Sequence, residues 1–207
     1  MPEPALPAHL FARVDESPDA EFYAAPRFVL HIDPATISAL TELYREELPA
    51  GSRLLDLMSS WVSHLPVEVA YAQVLGLGMN AEELAANPRL DARLVQDLNQ
   101  SPVLPCADAS FDAVLCAVSV QYLTRPVEVF RECARVLRPG GKLLIATSHR
   151  LFPTKAIAAW RSLESGDRMR FLHACLERAD GFLTPRVVDR SPPLADPLWL
   201  LIAARAC

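Results

Sequence analysis

The sequence has 207 residues, 51% of them hydrophobic and 22% charged, which is apolar material enough to close the core of one ordinary domain. A formal net charge of -5, with no run of Lys and Arg, argues against a nucleic-acid backbone as partner. No stretch nears the roughly 20 apolar residues that a membrane-spanning helix needs. The first residues also lack the basic start and apolar run of a secretory signal, so no membrane association and a cytoplasmic location are expected.

The five cysteines (Cys106, Cys116, Cys133, Cys175 and Cys207) form no C-x-x-C pair, and their odd number makes a poor disulfide framework. The histidines are equally scattered, so no metal site is expected. Residues 1–22, rich in proline and acidic side chains, are expected to form a loose N-terminal arm, leaving 23–207 as one domain.

Along that domain the periodicity alternates. Over 35–48, Ile37, Leu40, Leu43 and Tyr44 recur at helical spacing, with Glu42, Arg45 and Glu46 on the other face. Pro49 and Gly51 end that helix. Short apolar runs at 53–57 and 73–78 read as the first two strands. Asn80 followed three residues later by Glu83 reads as a helix start. Runs at 93–97 and 111–118 give the third and fourth strands. Pro126 opens a helix whose stripe is Val129, Phe130, Cys133, Val136 and Leu137, and Pro139-Gly140-Gly141 is expected to stop it. A fifth strand at 142–147, helices near 155–162 and 169–179, and closing strands at 186–189 and 199–204 complete the chain. The alternation predicts an α/β fold: a single Rossmann-like, doubly wound, mostly parallel sheet of about seven strands with helices on both faces. Ligands of such sheets sit beyond the carboxyl ends of the strands, where the winding reverses.

Two blocks carry a resemblance. Leu104-Pro105-Cys106-Ala107-Asp108-Ala109-Ser110-Phe111-Asp112-Ala113-Val114 resembles a turn of the form L-P-F-x-D-x-S-F-D-x-V, and Ala134-Arg135-Val136-Leu137-Arg138-Pro139-Gly140-Gly141-Lys142-Leu143 resembles R-V-L-K-P-G-G-x-L. Both patterns belong to the class I S-adenosylmethionine-dependent methyltransferases, in their small-molecule branch. The resemblance spans roughly residues 50 to 150.

The resemblance implies S-adenosylmethionine as cofactor and a set of positions that hold it. The family's first strand ends in D-x-G-x-G-x-G. Here Asp56 matches the leading acid, but Met58, Ser60 and Val62 stand at the glycine positions, with Ser59 between them. The place of the family's ribose-binding acid, after the second strand, is taken by Gly78. Asn80 either replaces that acid or simply caps the next helix. Asp97 matches the acceptor for the adenine amino group, or is an ordinary strand-end turn residue, and Leu98 would flank the adenine ring. Val118 ends the fourth strand beside the cofactor. Tyr122 either orients a methyl acceptor or packs against the neighbouring helix.

Because the cofactor already carries an activated methyl group, the protein mainly aligns an acceptor and excludes water. A general base helps when the acceptor bears a proton. His149, after the fifth strand, is the first candidate, and His31, on a segment 23–33 that could fold over the cofactor as a lid, is the second. Arg150 and Lys155 either bind an anionic acceptor or are surface charges. Trp61 either closes the pocket or plugs it. The expected function is methyl transfer to a small-molecule acceptor. The alternative is a non-catalytic methyltransferase-like domain that binds another ligand or a protein partner. The oligomeric state is left open.

Overall fold

The computed structural model describes residues 6–207; the first five residues of the expected arm lie outside the described residues. Seven strands form one sheet in the order β3-β2-β1-β4-β5-β7-β6. They are β1 (Arg53–Leu57), β2 (Gln73–Gly78), β3 (Ala92–Val95), β4 (Phe111–Ala117), β5 (Leu137–Thr147), β6 (Arg186–Asp189) and β7 (Trp199–Ala204). The pairs β1–β2, β1–β4, β2–β3 and β4–β5 are parallel, and β7 runs antiparallel to both β5 and β6. The helices are α1 (Asp19–Phe22), α2 (Pro34–Glu47), α3 (Ala81–Ala86), α4 (Pro126–Val136), α5 (Ala158–Ser162) and α6 (Ser165–Ala179). No helix among the described residues is long and apolar enough to cross a membrane.

Successive strand side chains point to opposite faces of the sheet, and both faces here are covered. Leu55, Val114, Cys116, Leu143 and Ile145 face α4, α5 and α6 through Phe130, Trp160 and Leu172. The neighbouring Leu54, Leu115, Leu144 and Leu200 face α2 and α3 through Leu40, Tyr44 and Leu84. Apolar residues at consecutive strand positions are what a sheet buried on both sides requires.

Pro139-Gly140-Gly141 does not stop α4 as expected. The helix ends three residues earlier, at Val136, and the chain is already extended at Leu137, so the Pro-Gly-Gly segment lies within β5. Gly140, at a φ of 76°, takes the left-handed bend there, and the β4–β5 register shifts between Phe111 and Ala113.

Residues 6–22 are tied down by charge. Asp19, 5% exposed, accepts two bonds from Arg13 Nη1 at 2.6 and 2.9 Å and one from Asn99 Nδ2 at 2.8 Å. Lys155 is fully buried. Its Nζ donates to the Ser17 carbonyl at 2.7 Å and lies 3.2 Å from Asp19 and 3.3 Å from Asp15. It is therefore neither a surface charge nor a free anion binder. A buried cation persists only with partners of this kind, and its partners here all come from the arm.

Candidate active site

The winding reverses between β1 and β4, and beyond their carboxyl ends lies a cavity of about 120 Å³. Each of the eight positions to which the resemblance assigned the cofactor lines this cavity, from Asp56 and Met58 to Leu98 and Val118. His31 and Tyr122 line it as well. His149 does not: it is half-exposed, with its Nε2 3.2 Å from Asp196 Oδ1. Arg150 lies beside it, also on Asp196 at 3.0 Å. Asp196 thus holds both basic residues that follow β5, on a chain segment outside the cavity lining.

Met58, Ser60 and Val62 stand at the glycine positions of the loop after β1, and serine hydroxyls hold it together. Asp56 is buried, and its Oδ2 accepts from both Ser59 Oγ and Ser63 Oγ at 2.6 Å. Asn87 Nδ2 donates to Ser63 Oγ and to the Ser60 carbonyl, each at 2.9 Å. Burial pushes the Asp56 carboxyl up to about 6, against the pull of the two hydroxyls. The loop still needs left-handed backbone, and Met58 supplies it at a φ of 56°. Val118, at a φ of 49°, is a β-branched residue in the same region. Such strain gathers where a site fixes the backbone.

The remaining predicted side chains are held by their own surroundings. Asn80 caps α3: its Oδ1 accepts from the N–H groups of Glu82 and Glu83, while its Nδ2 donates to the Tyr23 and Ala24 carbonyls. Asp97 shapes the turn after β3, with Oδ1 accepting from Asn99 N at 2.9 Å and Oδ2 from Gln100 Nε2 at 2.9 Å. Tyr122, buried, accepts the Phe152 N–H at 2.8 Å and stacks on that ring at 5.7 Å.

The outer wall is a strap, residues 19–31, that sequence reasoning located only in part. Trp61 Nε1 donates to the Val29 carbonyl at 3.0 Å, and its ring meets Phe28 edge-on. Trp61 therefore pins the strap over the cavity. Arg27 lies over the Phe22 ring, 4.4 Å from its centroid, and close to Phe152. Its Nη2 donates to the Phe22 carbonyl, while its buried Nη1 has no hydrogen-bond partner among the described residues. His31 is half-buried, and desolvation lowers its pKa, so its imidazole is neutral at pH 7. His64 also faces the cavity; burial, helped by His31, pushes it down to about 4. Arg27, Glu83 and Phe152 are among the cavity residues that the sequence did not single out for this site.

A mostly parallel sheet wound in this order, with its cavity at the reversal, is the architecture of Rossmann-like proteins that bind nucleoside cofactors. A family model described as a methyltransferase domain matches residues 58–145. The chain is 31% identical over 121 residues to the ubiquinone biosynthesis O-methyltransferase of Xanthomonas axonopodis pv. citri (strain 306), which covers 53% of this chain and 48% of that protein. It is 30% identical over 174 residues to the malonyl-(acyl-carrier protein) O-methyltransferase of Hahella chejuensis (strain KCTC 2396), covering 78% and 61%. The chain spans about half the length of the curated relatives it matches. Among solved structures, Haemonchus contortus phosphoethanolamine N-methyltransferase 2 in complex with S-adenosyl-L-methionine superposes with a TM-score of 0.60 at 16% identity, over 82% of this chain and 52% of that one, a likeness of fold.

Residues 58–145 match a methyltransferase domain, and the sheet order and cavity are those of the class I S-adenosylmethionine-dependent methyltransferase fold. The residues present fit that family's cofactor in most respects. The unpartnered Arg27 Nη1 suits a carboxylate such as that of the methionine part. Asp97 Oδ2 keeps acceptor capacity for an amino group, and Leu98 offers a buried apolar surface for a ring. The departure is the end of β2, where Gly78 carries no acid. The cavity is also smaller than the roughly 300 Å³ and more of pockets for ligands of this size, because strap residues Tyr23, Arg27 and His31 line its outer side.

Proposed function

We propose that this chain transfers a methyl group from S-adenosylmethionine to a small-molecule acceptor whose reacting atom carries a proton. The observation that carries the reading is the convergence on one cavity of Asp56, the 58–60 loop, Asp97, Leu98 and Val118, the positions the family uses for its cofactor. Both curated relatives described above are named as O-methyltransferases, which favours an oxygen acceptor.

When bound, the cofactor supplies an activated methyl group. Asp97 would accept from its adenine amino group, Leu98 would pack on the ring, and Arg27 would neutralise the carboxylate at the other end. His31, neutral at pH 7, takes the acceptor's proton. Phe152, held by the Tyr122 hydroxyl, and the strap over it keep water from the reacting atoms.

The test is calorimetric titration with S-adenosylhomocysteine, followed by methyl-transfer assays on hydroxylated small molecules. Asp97→Ala is expected to weaken ligand binding by about 1–3 kcal/mol, the scale of a lost buried partner. His31→Ala is expected to lower turnover while leaving ligand affinity within about twofold. The small cavity favours one rival, a methyltransferase-like domain without catalysis. That reading holds if the ligand fails to bind at about 1 mM.

A further inference from the structure

We propose that Glu83, a residue outside the family's pattern, accepts the ribose hydroxyls of the nucleoside and so replaces the acid missing from the end of β2. The proposal rests on the methyltransferase reading above.

The usual position is closed. A Cβ built on Gly78 would stand 2.2 Å from the Ser59 carbonyl oxygen and 3.2 Å from Leu84 Cδ2. The loop is locked there, because Ser59 N–H donates to the Leu77 carbonyl at 2.8 Å. No side chain fits at 78 while the loop keeps this path. Asn80, two residues on, is no substitute, since both its amide protons and its carbonyl oxygen are engaged.

The carboxylates lining the cavity are Asp19, Asp56, Glu83 and Asp97. Asp19 is saturated by Arg13, Lys155 and Asn99. Asp56 lies under the loop, held by Ser59 and Ser63. Asp97 belongs to the turn after β3. Glu83 remains, on the first turn of α3, five residues after the closed position. Its Oε2 accepts from Ser60 Oγ at 2.5 Å and its Oε1 from Arg27 N–H at 2.7 Å. An ionised carboxylate offers about four acceptor directions, so one remains on each oxygen. Two free acceptors on one rigidly held carboxylate match the two hydroxyls of a vicinal diol. Ser60 and the Arg27 backbone hold the group from both sides, which removes most of the rotamer entropy that a free glutamate would lose on binding.

The test compares S-adenosylhomocysteine with its 2′-deoxyadenosyl counterpart by calorimetry, on the full chain and on Glu83→Gln. The glutamine keeps an acceptor oxygen but loses the charge and half of the acceptor capacity. The wild type is expected to prefer the ribose form by about tenfold or more. In Glu83→Gln that preference is expected to collapse to within about threefold, with affinity for the deoxy form unchanged, which doubles as the check that the cavity still folds. Undiminished preference in the variant overturns the assignment, and so does an equal loss for both ligands, which would make Glu83 a purely structural latch. Failure of the wild type to bind either ligand overturns the methyltransferase reading and this proposal together.

Discussion

The carbonyl oxygen of Ser59 occupies the space that a side chain on Gly78 would need: the two approach so closely that a Cβ would lie at 2.2 Å. The backbone path of the loop after β1 and the glycine at the end of β2 are therefore coupled, because that path leaves no room for a side chain at 78. Gly78→Asp, which restores the family residue, is expected to destabilise the fold by about 1–3 kcal/mol or more, because the neighbour is backbone and yields less than a flexible side chain. Urea denaturation measures it. Unchanged stability would show that the loop moves freely.

Met58 holds the left-handed bend of that loop at a φ of 56°. Met58→Gly adopts this conformation without a Cβ penalty and is expected to leave stability within about 1 kcal/mol. Met58→Val places a β-branched residue there and is expected to cost about 1–2 kcal/mol more than the glycine variant. Equal stability of the two variants would contradict the bend.

Asp56 and His64 pull stability in opposite directions with pH. Asp56 rises from 3.8 to about 6 on burial. Its protonated form is thus favoured in the fold, and the associated stability, about 3 kcal/mol, is present below pH 4 and lost as pH rises through 6. Asp56→Asn is expected to gain on the wild type from pH 4 upward, with the gap saturating above pH 6. A gap independent of pH would remove the buried charge as its cause.

His64 falls from 6.5 to about 4. It is neutral when folded, so its stability, again about 3 kcal/mol, is present above pH 6.5 and lost as pH falls towards 4. His64→Asn, a residue tolerant of the backbone φ of 55° found there, is expected to lose less stability than the wild type over that window. Parallel pH profiles would contradict the account.

Tyr122 acts through Phe152. Its hydroxyl accepts the Phe152 N–H, so Tyr122→Phe is expected to cost about 1 kcal/mol. It should also raise KM more than it lowers kcat, because the residue positions a wall and does not touch the reacting proton. Loss of kcat alone would place the hydroxyl in the chemistry.

The scaffold was legible because it is written in short apolar runs. The strands at 53–57, 73–78, 186–189 and 199–204 occupy the ranges their runs predicted; three of them are largely buried, where a strand admits little but apolar residues, while 186–189 is an exposed edge. The loop after β1 was legible as a departure from pattern but not as a structure, because serine hydroxyls folding onto Asp56 leave no periodic signal. The strap was least legible. Arg27 sits in an aperiodic, proline-bearing segment whose place is set by contacts far along the chain, Lys155 with Ser17 and Trp61 with Val29. Glu83 was visible, but its spacing from Asn80 read as helix capping. Asn80 does cap the helix, while the Glu83 carboxylate reaches across to Ser60 and the strap. His149 followed the right strand, yet Asp196 draws it away from the cavity.

The central claim is that the cavity at the ends of β1, β2 and β4 receives S-adenosylmethionine despite its altered loop. Calorimetric titration of the full chain with S-adenosylhomocysteine tests it most directly. The account predicts one site of about micromolar affinity that weakens in Asp97→Ala. No heat of binding at about 1 mM ligand, with the chain folded, would contradict it.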